Sequence, residues 1–146
     1  MRREHLGIFI EPYLTEILDQ IKTIDLRISK NKIAPYHKIN SGDHILIKKS
    51  GGNICGEAYV KKVKFFENLT PNKILEFTTQ YQKEIRAKTE FIQSKLDCKY
   101  ATLIWFEEVK RISNYPIKNH GRSGWVILFE EDINQRKLFK LNIKKK

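Results

Sequence analysis

Ser50-Gly51-Gly52-Asn53 lies between two apolar-rich runs, His44–Lys49 and Ile54–Phe66. Glycine takes positive φ without the steric penalty that other residues meet, so this quartet predicts a tight hairpin turn. Its flanks then predict two antiparallel strands, the second of them long. A hairpin of that length commits the chain to a sheet, which the remaining elements must extend or cover.

Upstream, residues 6–10 predict a first strand, with Phe9 between two isoleucines. Glu11-Pro12 follows, and proline suits a first helical position because its missing N–H has no partner there anyway. Leu14, Ile17, Leu18 and Ile21 recur at helical spacing and predict a short amphipathic helix. The stretch 21–29 then reads as a strand with two chemically distinct faces. Ile24, Leu26 and Ile28 fall on one; Thr23, Asp25, Arg27 and Ser29 fall on the other. Lys22 stands at its entrance. A lysine, an acid and an arginine therefore gather at one end of the sheet. They suit an anionic or polar planar ligand, with Lys22 meeting a phosphate or polarising a carbonyl and Arg27 gripping a phosphate through paired bonds. They also suit a solvated strand face, with Lys22 near a helix C-terminus and Asp25–Arg27 as an exposed pair contributing roughly 0–1 kcal/mol. With these side chains at the surface, alanine at 22 or 27 is expected to weaken binding and to shift stability by only about 0.5 kcal/mol.

Residues 30–41 read as a loop that ends in the turn-forming Asn40-Ser41-Gly42-Asp43. Thr70-Pro71 is a strong helix start, and Ile74, Phe77, Tyr81 and Ile85 form an apolar stripe that Thr89, Ile92 and Leu96 extend in the same or a second helix. Residues 100–112 predict a strand. Residues 124–130 predict a last strand, apolar on both faces and so buried. The basic segment 132–146 is expected to be a short helix or a disordered arm. Residues 1–131 thus form one domain and 132–146 a tail. Short strands with one helix after the first and a helical insertion predict an α+β fold around a small, mixed, partly closed β-barrel.

The formal net charge of +11 favours anionic partners and predicts weak nonspecific attraction to polyanions. Lys48, Lys49, Lys61, Lys62 and Lys64, with Tyr59, Phe65 and Phe66, fit a nucleic-acid groove or the lysine pattern that protects an edge strand. Cys55 and Cys98 form no CxxC pair, which favours two thiols in a reducing cytosol. No histidine or cysteine spacing suits a metal, and no Gly-rich phosphate loop or Ser-His-acid set is recognisable; no metal and no cofactor are expected. The apolar run at the N-terminus is too short for a signal peptide or a membrane span, so a cytoplasmic protein is expected. No feature specifies an oligomeric state.

Leu18-Asp19-Gln20-Ile21-Lys22-Thr23-Ile24-Asp25-Leu26-Arg27 resembles the first motif of the ASCH (activating signal cointegrator homology) domain: leucine, any, glycine, any, lysine, threonine, apolar, acid, any, arginine. Ser41-Gly42-Asp43-His44-Ile45-Leu46-Ile47 is similar to that family's Gly-Asp turn into a strand. Thr70-Pro71 matches the start of its helical insertion, and Gly121-Arg122-Ser123-Gly124-Trp125-Val126 resembles the last strand of some bacterial members. The resemblance spans residues 6–130. It implies a PUA-like β-barrel with a cleft for RNA or a nucleotide-like ligand, around Lys22, Thr23, Asp25, Arg27, Ser29, Arg122 and Trp125.

Some small members are amidohydrolases acting on acetylated cytidine, and one line of members is reported as ribonucleolytic. The chain departs from the amidohydrolase pattern, because Asp25 stands where that subgroup carries a threonine nucleophile and Gln20 replaces its glycine. Binding of RNA or a modified nucleotide is therefore the first expectation. Hydrolysis is the alternative, with Lys22 activating the substrate and Asp25, Glu84 or Glu90 moving the proton. Arg122, His120 and Trp125 would add a phosphate contact, a titrating donor and a stacking surface, although tryptophan in an apolar strand also suits a core. Trp105 is assigned to the core.

Overall fold

A computed structural model describes residues 2–117 and 123–128. Within them the chain runs β1 (Glu4–Phe9), α1 (Tyr13–Leu18), β2 (Ile24–Ser29), β3 (His44–Lys49), β4 (Ile54–Phe66), α2 (Pro71–Gln80), α3 (Gln82–Ile85), α4 (Thr89–Ser94), β5 (Tyr100–Tyr115) and β6 (Trp125–Leu128). The strands form one sheet in the order β2-β5-β4-β3-β1-β6. Among the described strands only β1 and β3 pair in parallel. The fold is α+β, a mixed sheet curled into a half-barrel, as the sequence predicts.

The curl has a local cause. The long strands β4 and β5 lose register between Ile54 and Gly56, Glu57 and Tyr59, and Val60 and Lys62. Each extra residue bends the strand and sharpens its twist. The concave face encloses Phe9, Ile45, Ile47, Val60, Ile104, Phe106 and Trp125, and α1 adds Leu14 and Ile17 to this core. On the convex side, Ile24, Leu26, Ile28 and Leu103 pack against Ile74, Phe77 and Ile85 of the helical insertion. Burial of both faces of β2 makes the two-sided pattern of Ile24–Ser29 meaningful: the apolar side holds the helices, and the polar side faces the barrel interior.

The apolar stripe 74–85 is split between two helices, because Tyr81 leaves helical geometry and Arg86 (φ 55) ends α3 in the left-handed region. The helix after Thr70 starts as expected, with its side chain accepting from the Lys73 amide at 3.2 Å. Within the described residues the last strand is shorter than predicted and pairs antiparallel with β1 at a sheet edge, with Trp125 and Leu128 buried and Val126 and Ile127 half-buried. Lys61, Lys62 and Lys64 lie past the segment that β3 covers, where β4 has β5 alone as neighbour among the described residues. Lys62 and Lys64 extend over Trp105 and Phe66 at 4.8 and 5.3 Å. Trp105 is half-buried on the convex side rather than fully in the core. Cys98 is buried, Cys55 half-buried, and both are free thiols. Among the described residues no helix is long and apolar enough to cross a membrane. The predicted tail, 132–146, lies outside the described residues.

Candidate ligand cleft

A cleft of about 460 Å³ opens where β2 faces β1 and β6 across the mouth of the half-barrel. Lys22, Asp25, Arg27, Ser29, Thr102 and Trp125 line it among apolar and aromatic walls. Clefts that hold small molecules have about this size and this mix of apolar walls with few polar groups.

Lys22 is not a solvated helix end. It is 5% exposed. After α1, Gln20 turns through positive φ (60), and the Lys22 amide donates back to the Glu16 carbonyl at 3.0 Å. This wrap turns the side chain inward, where Nζ donates to the Ile85 carbonyl and stands 5.3 Å from the Tyr13 ring centre. Burial pushes its pKa below the usual lysine range, with the Asp25 carboxylate opposing that shift. One protein acceptor leaves N–H bonds of the ammonium available to the cleft.

Asp25 is also 5% exposed. Its Oδ2 accepts from Arg27 Nε at 2.6 Å, and its other oxygen has no protein donor among the described residues. Arg27 is held on all sides. Besides Asp25, it donates through Nη1 to the Gly124 carbonyl and through Nη2 to the Ile8 carbonyl, both at 3.1 Å. Its guanidinium stacks 4.7 Å from the Phe9 ring and 5.0 Å from the Trp125 ring. This arginine is a clasp across the barrel mouth rather than a free fork. Gly7 makes the stack possible: a Cβ there would come within 2.8 Å of Phe9 and 2.9 Å of Trp125.

Ser29 is half-buried at the far end and donates to the Asn31 carbonyl at 2.6 Å. Thr23 is exposed, outside the cleft lining, and its backbone ties Glu84 to Phe106. Glu84 and Glu90 do not line the cleft. Arg122 and His120 lie outside the described residues. Trp125 is 3% exposed, so it belongs to the core while its ring forms cleft wall. Behind it, Trp125 Nε1 donates to His5 Nδ1 at 3.0 Å, and His5 Nε2 meets Asp43 Oδ2 at 2.8 Å. Asp43 also accepts from the amides of Arg3 and Asn40, each at 3.0 Å. The Gly-Asp turn is thus wired to the cleft wall.

The sequence singles out neither Tyr13, Phe91 and Tyr100, which line the cleft from α1, α4 and β5, nor Tyr36, which lines it from the loop after β2, nor Thr102. The Thr102 hydroxyl is buried without a hydrogen-bond partner among the described residues. Its one signal is a polar side chain at inward parity within the apolar run that opens β5.

No family model matches the chain, and no curated protein does. Solved structures do. An ASCH protein from Zymomonas mobilis superposes with a TM-score of 0.73 at 14% identity, covering 97% of this chain and 96% of that one. A single-substitution variant of that protein gives 0.72 at 14% identity, with 96% of each chain covered. The N-terminal domain of Staphylothermus marinus McrB gives 0.55 at 14% identity over 92% of each chain. The chain has the fold of these ASCH structures, a mixed sheet curled into a half-barrel.

Proposed function

We propose that this ASCH-fold chain binds RNA or a modified nucleotide, with a base entering the cleft beside Lys22 and Asp25. The observation that carries the proposal is the pair of free valences at its floor. A buried ammonium and a buried carboxylate, each with capacity its protein partner does not use, face one cleft with apolar walls. A planar heterocycle that offers a carbonyl to Lys22 and an N–H to Asp25 satisfies both, and aromatic walls suit its faces. Arg27 contributes by fixing Asp25 and the mouth, not by gripping phosphate. The net charge of +11 supports a polyanionic context for that base. Titration calorimetry with the four ribonucleosides and N4-acetylcytidine tests the reading; it requires saturable binding of at least one, weakened at least about tenfold in Lys22→Met.

The depressed basicity of Lys22 favours a second reading, hydrolysis of an amide on a modified base, since shifted titrations gather at reaction centres. Lys22 would polarise the carbonyl and Asp25 would activate water. Release of acetate from N4-acetylcytidine tests it.

A further inference from the structure

We infer that His5 and Asp43, acting through Trp125, position the cleft wall for ligand, and that a proton gained by His5 releases that wall and weakens binding. The inference names a control on the cleft and so rests on the base-binding reading above.

The geometry is a chain of contacts that starts outside the cleft. His5 and Asp43 are buried, and neither lines it. The Asp43 carboxylate is pinned as an acceptor by the amides of Arg3 and Asn40, and it meets His5 Nε2 at 2.8 Å. His5 Nδ1 accepts from Trp125 Nε1 at 3.0 Å. The Trp125 ring centre stands 5.0 Å from the Arg27 guanidinium, whose Nε donates to Asp25 at 2.6 Å. The turn before β3 is thus joined, contact by contact, to the carboxylate at the cleft floor.

That chain admits one protonation state. An indole N–H only donates and a carboxylate only accepts, so the imidazole between them is bare at Nδ1 and protonated at Nε2. A second proton has only Nδ1 to go to, where it meets the indole N–H. Two donors cannot share that contact, so the indole must move. It then uncovers one face of the Arg27 guanidinium and displaces an aromatic wall of the cleft.

Among the described residues, the charged groups that act on His5 are Asp43 from the turn, and Arg3 and Glu4 from its own segment. Its strand neighbours, Ile45 on β3 and Ile127 on β6, carry no charge. Burial and Arg3 disfavour the imidazolium while Asp43 and Glu4 favour it, and burial is the largest of these effects. His5 is therefore neutral, and the wall held, at neutral pH. Affinity is full above the folded pKa of His5 and falls as pH drops through it. By linkage, ligand binding expels the proton.

The test combines calorimetry and NMR between about pH 7.5 and 5, within the range where the chain stays folded. The ligands are the four ribonucleosides and N4-acetylcytidine. The wild type is expected to lose at least about fivefold in affinity for each nucleoside it binds. The midpoint should coincide with the titration of the His5 ring resonances and with a shift of the Trp125 indole signal. Calorimetry in two buffers of different ionisation enthalpy should show proton release on binding near that midpoint. His5→Gln offers an acceptor to the indole and an N–H to Asp43 at every pH, so its affinity should stay level over the same range. If that variant does not fold, the coincident midpoints and the proton release in the wild type decide. Affinity that ignores pH, a fall that persists in His5→Gln, or an indole signal that ignores the His5 titration overturns this inference and leaves base binding standing. Absence of binding by the wild type to every nucleoside at neutral pH overturns both.

Discussion

Arg27 donates through Nη2 to the Ile8 carbonyl at 3.1 Å, although their strands lie toward opposite ends of the sheet. A second bond reaches Gly124, 97 positions along the chain. One guanidinium therefore bridges the gap that hydrogen-bonded strands leave open. Arg27→Ala removes three hydrogen bonds, uncovers Phe9 and Trp125, and leaves Asp25 buried without its cation. A loss of about 2–4 kcal/mol is expected in urea unfolding, well above the roughly 0.5 kcal/mol that a surface position predicts. Arg27→Lys restores little, since a point charge cannot make the three-way fork. A loss below about 1 kcal/mol would show that the barrel mouth stays closed without it.

The His5–Trp125 bond fixes a protonation state. Indole N–H only donates, so His5 Nδ1 must be bare and its proton must sit on Nε2, facing Asp43. Burial pulls the His5 pKa below 6.5, against the pull of Asp43. Below about pH 6.5 the unfolded chain binds this proton more readily than the folded one, so stability is full above that value and falls as pH drops beneath it. Melting of the wild type is expected to decline between about pH 7.5 and 5.5, with a flatter profile in His5→Gln. Parallel profiles would refute the linkage.

The legible parts of this molecule are local. Strand His44–Lys49, strand Ile54–Phe66 and the alternation over Ile24–Ser29 follow from glycine chemistry and period-two patterning, and all three form as predicted. The placement of Lys22 and Asp25 at one cleft follows from the same short motif. What could not be read depends on distant partners. His5 meets Trp125 across 120 positions, and only the curl of β4 and β5 brings the mouth of the barrel to Arg27. Arginine two residues from an aspartate looks alike whether exposed or clasped, because sequence alone carries no burial. Thr102 is hidden for another reason: threonine favours strands, so its hydroxyl stands out little in an apolar run.

Lys22 separates packing from recognition. Methionine nearly matches its volume and removes the burial of a cation, while the Ile85 carbonyl is left without its donor. These effects oppose each other, so Lys22→Met is expected to stay within about 1 kcal/mol of wild-type stability. Nucleoside affinity should fall about 10- to 100-fold, the range for a hydrogen bond to a charged group. Calorimetry and melting on one preparation decide it: retained affinity would make Lys22 a structural peg.

Salt dependence distinguishes a strand of RNA from an isolated base. Lys32 is exposed and stands 5.6 Å from the ring of Tyr100, at the cleft wall. If RNA runs past that wall, log affinity for a short single strand falls linearly with log salt, and Lys32→Ala reduces the slope by about 0.7 for each phosphate the side chain no longer neutralises. Affinity that ignores salt would favour a small-molecule cleft over an RNA track.

Turnover is the sharpest division between the two proposed functions. In the amidohydrolase pattern that the first motif resembles, a threonine stands where this chain has Asp25. A carboxylate cannot stand in as a simple nucleophile, because attack on an amide would give an anhydride; it can act as a general base on water. Here one oxygen of Asp25 is committed to Arg27 at 2.6 Å, so a single oxygen must both position the water and take its proton. Lys22 remains able to polarise a carbonyl, but its Ile85 bond directs one N–H away from any substrate. Binding is therefore expected without brisk chemistry. Incubation with N4-acetylcytidine, followed by chromatography, should show no cytidine beyond the uncatalysed rate, or turnover slow enough to need stoichiometric protein. Multiple turnovers that vanish in both Lys22→Met and Asp25→Asn would establish the hydrolase, with Asp25 as its base.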